Sequence, residues 1–497
     1  MSKRRTLGRQ FWRLSNMCNK PYVVLIMAAI AVIATDCGSN EGSSALPFSQ
    51  AISSSPMGDA VQQDAAITVP KPSGHNTQQI QYAVLDLGTL GGAGGTGASA
   101  EVISNNGRVI GTSTLSGDTI VHGFAWRNGI MTDLGTLGGL NSNETGVPLS
   151  DSRGLIAGTS QLSAMDPLAE YWGALFFTCN SAGPCDGYQS LVRGFVLQNG
   201  NMTALPTLGG NNAKVTGIND HFQVVGFAEN NEPDPGCPTP QVLNVQAVVW
   251  QPGGNGGFSA QRLPTFPGDT DGEAAAINDR GQVVGVSGSC SGLYTGSQSR
   301  AVLWDHGTVT DMGNLGGMCC NTPVDINSRG QVVGYAGTTG NTTFHAFLWQ
   351  DGGMMTDLGV LPGYAMSFAF GINDQDDIVG GSCADTSFNS CTAMIWQHGV
   401  GIDLNKLVKP TALHLFFGND INARGEIVAY AFNTNDGEYR AALLIPCNQE
   451  PTDIADCEGS PNAAQVAELG HHFSMPQRVR EQFLTRTPFG RLTTVHL

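Results

Sequence analysis

The sequence predicts an all-β chain, a seven-bladed β-propeller with four-stranded blades, closed by an N-terminal strand at 82–87 that joins the C-terminal blade. Three observations carry that expectation. A phrase of the form apolar-Asn-x-x-Gly-x-Val-Val-Gly recurs seven times, at Ile103–Gly111, Leu149–Gly158, Ile218–Gly226, Ile277–Gly285, Ile326–Gly334, Ile372–Gly380 and Ile421–Ala429. The periodic region, from Tyr82 to Cys447, gives about 52 residues per unit, the length of a four-stranded propeller blade. The strands also count unevenly, with seven opening phrases and seven third strands but six fourth strands after them. The missing fourth strand stands at the other end: Tyr82-Ala-Val-Leu-Asp-Leu87 matches Met131-Thr-Asp-Leu134 and precedes the same Leu-Gly-Gly phrase. Ring closure explains that offset because it removes exposed sheet edges.

The fifth unit shows how each strand is encoded. Val324-Asp-Ile-Asn327 opens it and Ser328-Arg-Gly330 turns the chain. Gln331–Ala336 is the second strand, Phe344–Trp349 the third and Met354–Leu358 the fourth, before Gly359–Gly363 crosses to the next unit. Short apolar runs with turn residues at fixed offsets read as consecutive antiparallel hairpins. The Asn of each phrase suits a side chain that bonds its own backbone two residues on, and the turn Gly supplies a positive φ. The Trp-x-x-Gly step at Trp126, Trp250, Trp304, Trp349 and Trp396 places an aromatic ring between adjacent sheets, with Leu197 in its place once. The crossing phrase Leu-Gly-x-Leu-Gly-Gly joins strand to strand with no following helix, which argues against a phosphate loop.

The flanking segments differ in character. Six basic residues, from Lys3 to Lys20, precede an apolar run from Tyr22 to Ala34, so residues 1–34 read as a secretory signal peptide. Residues 35–80, rich in Ser, Ala, Pro and Gln, read as a disordered linker. Cys37 is a candidate lipid anchor, although Asp36 stands where a lipoprotein signal has a small residue. The propeller takes 81–447, and 448–497 is expected to be a loosely ordered tail with no assignable role. Removal of the signal, with its six basic and no acidic residues, takes the formal charge from −17 to about −23. A surface so acidic repels nucleic acid and anionic membranes, and leaves cations, neutral glycans and basic proteins as partners. No transmembrane span is expected in the mature chain, and a monomer is expected.

Beyond the signal region ten Cys form an even set, which behind a signal peptide reads as disulfides. Near pairs within one loop are Cys179–Cys185, Cys383–Cys391 and Cys447–Cys457; Cys237 and Cys290 occupy equivalent loops of neighbouring units and would bridge them. Cys319 and Cys320 are adjacent, so they form a vicinal disulfide or take separate partners.

The phrases His345-Ala-Phe-Leu-Trp349, Met355-Thr-Asp-Leu-Gly359, Leu137-Gly-Gly139 and Ile326–Gly334 resemble the bacterial HAF-type extracellular repeat family. The resemblance covers about 82–447, roughly three quarters of the chain. It implies a secreted or surface-exposed bacterial protein, and it lends no catalytic residue.

The residues themselves carry no nucleophile or metalloprotease motif. His122 and His345 begin third strands and read as turn or surface residues. Asp269, Asp271, Asp374, Asp377 and Asp436 lie in turns with the flavour of calcium loops, none of which completes the twelve-residue loop. They are candidates for a structural Ca²⁺ or simply solvated turns; no other cofactor is expected. The best functional clue is interruption of the repeat, because loops vary while the scaffold stays fixed. The insertion Gln161–Leu191 of the second unit brings Tyr171, Trp172, Phe176, Phe177 and Tyr188; the third unit adds Asn230–Val242. Both belong to the loop between second and third strands and should emerge on one face, as a binding surface or as a capped hydrophobic satellite. Around the axis small first-strand residues are expected (Ser99, Ala100, Ala275, Ala276, Thr322 and Ser367), with Glu273 as a carboxylate near one channel mouth.

Three functions follow. The first is a non-catalytic binding module for a glycan or protein, outside the cytoplasm: secreted, on the outer surface or in the periplasm. The second is a secreted lyase or hydrolase acting on carbohydrate, with paired carboxylates at the channel mouth. The third is a structural or adhesion module.

Overall fold

The computed structural model describes residues 80–447, apart from 93–96, 118–119, 147, 151–153, 171, 173–189, 255, 296–298, 319, 351, 386–387 and 389. It contains seven four-stranded antiparallel sheets. The first strands are Ala98–Ile103, Ser142–Gly146, Gly209–Ile218, Asp271–Ile277, Thr322–Ile326, Met366–Ile372 and Leu413–Ile421, which define blades 1 to 7. Each packs against its neighbours in sequence, and that of blade 7 packs against that of blade 1, so the sheets form a closed ring around an axis. The chain is a seven-bladed β-propeller.

The seam lies where the strand count places it. Tyr82–Asp86 pairs antiparallel with Glu438–Pro446, from Tyr82 opposite Pro446 to Asp86 opposite Ala442, and is the outermost strand of blade 7. Tyr82 N also donates to Leu407 O at 2.8 Å, and Cys447 N to Gln81 O at 2.9 Å. The two ends of the propeller are thereby woven into one sheet, which leaves no edge at the join.

The opening Asn does more than make a turn. Asn327 Oδ1 accepts from the amides of Arg329 (3.1 Å) and Gln331 (3.0 Å), while its Nδ2 donates to Gln331 Oε1 (2.7 Å) and to the carbonyl of Asn373 in the next blade (3.1 Å). The same cross-blade bond runs from Asn219 to Asn278, Asn278 to Asn327, Asn373 to Asn422, and Asn422 across the seam to Ser104. Blades 1 and 2 lack the Asn. There the amide of Asn105 donates to Leu149 O at 2.8 Å, and the amide of Ser150 donates to Asp220 Oδ1 at 2.8 Å. All seven joints are therefore bonded on this turn face.

Each first strand carries a β-bulge at the same place, for example between Pro323 and Asp325 and between Ala369 and Gly371. The bulge pushes a carbonyl toward the second strand, which explains the last Gly of the repeated phrase. A Cβ on Gly334 would sit 2.0 Å from Thr322 O. Blade 7 makes the exchange in reverse: the phrase ends in Ala429, and its partner across the pair is Gly418.

The core is interblade. One cluster joins Val284, Leu303 and Met312 of blade 4 to Ile326, Phe347 and Trp349 of blade 5, and another crosses the seam. The five repeated Trp are all buried. The indoles of Trp250, Trp304 and Trp396 donate to carbonyls in the preceding crossing segments, those of Pro206, Pro264 and Leu358, at 2.6–2.9 Å. Among the described residues no helix is long and apolar enough to cross a membrane. Cys237–Cys290 ties blade 3 to blade 4 with Cα atoms 4.9 Å apart, and Cys383–Cys391 closes a loop of blade 6 at 4.1 Å, both as the spacing suggested. Cys447 is also disulfide-bonded. Cys37, Cys179, Cys185, Cys319, Cys457, the signal and linker, and the 448–497 tail lie outside the described residues.

Asn327→Ala should lower stability by roughly 1–3 kcal/mol, because it strands buried backbone groups in two blades at once. Urea denaturation of the full chain checks this; a shift no larger than that of the exposed Ser328→Ala would contradict it.

Candidate functional site

The bulges decide what lines the axis. In five blades two consecutive first-strand residues at the bulge are partly exposed while those beside them are mostly buried: Glu101–Val102, Thr216–Gly217, Ala275–Ala276, Val324–Asp325 and Asn419–Asp420; in blade 6 Phe370 alone is so. For an innermost strand the open surface at mid-length is the lumen. Its lining is thus part acidic, with Glu101, Asp325 and Asp420.

This corrects the expected lining. Ala275 and Ala276 do face the lumen, but Ser99, Ala100, Thr322 and Ser367 are buried between sheets, and so is Glu273, at 4% exposure. The physical reason is the extra residue of the bulge, which rotates the strand and breaks simple alternation.

Asp325 and Asp420 have matching surroundings. Asp325 Oδ1 accepts from its neighbour's amide, Ile326 (2.8 Å), and Oδ2 from Ile372 in blade 6 (3.0 Å). Asp420 does the same with Ile421 (2.8 Å) and with Ile103 across the seam (2.9 Å). Burial raises both carboxyl pKa values; the charge of Asp374 adds to the rise at Asp325, that of Asp325 adds to it at Asp420, and the accepted amide bonds oppose it.

The face opposite the Asn turns carries the loops between second and third strands. Over blades 5 to 7 it holds an aromatic cluster in which Tyr335, Phe368, Phe416, Phe417, Tyr430 and Tyr439 are buried. Tyr430 and Tyr439 stack with centroids 5.1 Å apart. Phe344, Phe388 and Phe432 are half-buried against it and form its outer layer, and the lumenal Phe370 also packs against it. The Cys383–Cys391 bridge closes the loop that holds Phe388.

Among the residues singled out in the second insertion, Trp172 is described, and it is not displayed for a ligand. It is fully buried with Val192, Phe227 and Val245, its ring 5.7 Å from that of Phe227 and its indole donating to Gln241 Oε1 at 3.0 Å. Tyr171, Phe176, Phe177 and Tyr188 lie outside the described residues. The insertion does not begin as a loop: its first residues extend the second strand of blade 2 as far as Met165, and the third starts at Ser190.

The calcium-loop candidates all have protein partners. Asp269 lies 3.6 Å from Arg300; Asp271 accepts from the amide of Val245, from Asn244 and from Thr270; Asp374 accepts from Ser328. Asp377 accepts from Gln397 and Asn373, and Asp436 from the amide of Glu438 and from Arg440. Among the described residues, the metal-type groups that converge in a set of three are Cys237, Cys290 and Asp271, and both sulfurs are consumed in the disulfide.

The His of the His-Ala-Phe triplet has a cross-strand partner. His345 Nδ1 lies 2.8 Å from Asp357 Oδ2, and Asp357 Oδ1 accepts from the amide of Gly359 at 2.7 Å. Partial burial pushes the Asp357 pKa up, but the His345 bond, the Gly359 amide and the His345 charge outweigh it and hold it low. Other blades fill the same pair with His122–Asp133, Arg300–Asp311, Thr392–Asp403 and Arg440–Asp86. The triplet's first residue staples third to fourth strand and needs only a donor.

Raised carboxyl pKa values in the fold mean that the folded state holds protons the unfolded chain releases. The stability they contribute is complete at acid pH and is lost as pH rises through the raised values. The melting temperature should therefore fall between about pH 5 and about pH 8. Asp420→Asn should make that slope shallower while the exposed Asp385→Asn leaves it unchanged; equal slopes in scanning fluorimetry would contradict the assignment.

No family model matches the sequence, and no curated protein matches it. Solved structures do. The β-propeller domain of the Trilobed protease from Pyrococcus furiosus is 10% identical, with a TM-score of 0.43 over 75% of this chain and 100% of that one. An acylaminoacyl peptidase from Pyrococcus horikoshii is 12% identical, with a TM-score of 0.39 over 67% of this chain and 50% of that one. TolB from Acinetobacter baumannii is 11% identical, with a TM-score of 0.31 over 55% of this chain and 56% of that one. The chain therefore spans about half the length of the latter two.

Proposed function

We propose that the chain is a non-catalytic binding module of the HAF-repeat type, acting outside the cytoplasm on a glycan or a protein, with its ligand seated on the loop face over blades 5 to 7. The observation that carries this reading is the layer of half-buried rings, Phe344, Phe388 and Phe432, backed by a buried aromatic cluster. Rings held by packing lose little freedom on binding and offer flat apolar faces to a sugar ring or an apolar side chain. The disulfides support an oxidising, extracytoplasmic setting.

A carbohydrate-active enzyme is the second reading, favoured by the lumenal carboxyls Asp325 and Asp420 with their raised pKa values. Against it, both oxygens of each already accept backbone amides.

Glycan-array and pull-down binding of the full chain tests the first reading. The triple variant Phe344→Ala, Phe388→Ala, Phe432→Ala should lose roughly tenfold or more in affinity for any captured ligand while remaining folded. Unchanged affinity would remove the aromatic face as the site. Release of new reducing ends by the wild type, abolished by Asp420→Asn, would favour the enzyme.

A further inference from the structure

The Cys237–Cys290 bridge has a buried carboxyl group beside it. Cys237 lies in the loop between the second and third strands of blade 3, Val224–Pro233 and Leu243–Pro252. Cys290 opens the short helix Cys290–Thr295, just after the second strand of blade 4, Val283–Gly288. Asp271 begins the first strand of blade 4 and pairs with Gly288, two residues before Cys290. One Asp271 carboxylate oxygen and the two sulfurs all lie within 4.8 Å of one another. Asp271 is fully buried and Cys290 is 2% exposed, while Cys237 is half-buried. In the other bridge, both Cys383 and Cys391 are buried.

This asymmetry sets the direction of thiol exchange. A thiolate arriving from solvent reaches the sulfur of Cys237 and not that of Cys290. Cys290 is then the leaving group, and it departs into a buried site where an unprotonated thiolate is unfavourable. A proton donor beside it removes that cost. Asp271 Oδ2 accepts from Asn244 Nδ2 (3.2 Å) and Thr270 Oγ1 (2.7 Å), whereas Oδ1 accepts from the amide of Val245 (2.8 Å). Oδ1 thus has the lone pair that can carry a proton. A freed Cys290 sulfur turns about its Cα–Cβ bond, which closes a gap of this size to a hydrogen bond.

We propose that Cys237–Cys290 is a site of thiol–disulfide exchange with low-molecular-weight thiols, attacked at Cys237, with Asp271 as the general acid for the departing Cys290. The incoming thiolate forms a bond to Cys237 Sγ, the bond to Cys290 breaks, and its electron pair stays on Cys290 Sγ. Asp271 Oδ1 passes its proton to that sulfur. A second thiolate attacks the small thiol's sulfur in the mixed disulfide and releases Cys237 as a thiolate, which takes a proton from water, as does Asp271. Two small thiols are oxidised to their disulfide and the protein bridge is reduced by two electrons. Gln241, in the same loop as Cys237, donates from Nε2 to Glu170 Oε1 (3.1 Å) and Glu229 Oε1 (2.9 Å), two buried carboxyl groups. The loop therefore stays fastened to blades 2 and 3 when its tie to blade 4 opens.

Burial pushes the Asp271 carboxyl up to about 7; the charge of Asp234, in the Cys237 loop, adds to the rise, and the bonds from Thr270 and Val245 oppose it. The strands packed on that of Asp271 bring Glu229 and Glu232 from the second strand of blade 3, Lys214 from its first, and Asp325 from the first of blade 5. Glu273 shares the strand of Asp271, and Asp269, just before it, is held by Arg300 at 3.6 Å. The third strand of blade 3 and the second of blade 4 bring no charged side chain. Below its raised pKa Asp271 holds the proton and donates it. Above that value the carboxylate has no proton to give and repels a second anion beside it.

Reduced glutathione applied to the full chain, followed by alkylation and peptide mass spectrometry, tests this. Glutathione should appear on Cys237 and the alkyl group on Cys290, before Cys383–Cys391 opens. The rate per unit of glutathione thiolate should be level below about pH 7 and fall roughly tenfold per pH unit above it. Asp271→Asn, which keeps the shape and removes the proton, should slow opening roughly tenfold or more at about pH 6 and give a level profile. A wild-type rate per thiolate that does not fall above about pH 7 would overturn the general acid, whether or not the variant folds. So would a folded Asp271→Asn with the wild-type profile. Glutathione on Cys290, or earlier opening of Cys383–Cys391, would overturn the site of attack.

Discussion

One side-chain carboxamide holds both the local turn and the joint between neighbours. The Asn that opens five of the seven phrases accepts two amides of its own turn, donates to that turn's last side chain, and donates to the next blade's carbonyl. Those groups surround the axis, where seven chain reversals crowd together and water has little access. A polar group left unmet there costs more than the bond returns when made. The spacing of the innermost strands, and hence the position of every bulge and every interblade Trp, depends on those joints being bonded. Where Asn is absent, at the joints of blade 1 with 2 and of blade 2 with 3, a backbone amide takes the role, so the geometry is what the ring requires.

The sequence displayed those features that repeat. Blade number, the seam strand, the turn Asn, the interblade Trp and the bridges Cys237–Cys290 and Cys383–Cys391 were all legible, because each follows from local chemistry multiplied by period. The lumen was not, because its lining depends on a bulge of one residue. Small size assigned Thr322 and Ser367 inward; they are buried, and Val324, Asp325 and Phe370 are the partly exposed residues at the bulge instead. A signal was present in Asp325 and Asp420, carboxylates one residue before the apolar position of their phrases. Nor was the fate of Trp172 legible, since its partners Phe227 and Gln241 lie far along the chain.

The two faces of the ring have divided labour. One is built of short turns with every joint bonded. The other bears the long hairpins, both fully described disulfides, the buried carboxyl network of blades 2 and 3 and the aromatic layer of blades 5 to 7. This division lets one half of each hairpin be constrained by closure while the other diverges, which is how a fixed scaffold acquires a specific surface. The His-Ala-Phe signature belongs to the scaffold: its His is one of several donors that serve the same cross-strand Asp.

The seam has a consequence for the order of assembly. Tyr82–Asp86 is the first strand of the propeller to leave the ribosome, and its hydrogen-bonding partner, Glu438–Pro446, is the last. Six blades are complete in local sequence and can form hairpins as they emerge. The ring cannot close until nearly the whole chain exists, and an apolar strand waits unpaired for all that time. Contacts so far apart in sequence are the slowest to form and leave partly built chains prone to association. Full length is thus a condition of stability for every blade, because a ring one strand short exposes an edge to its neighbours.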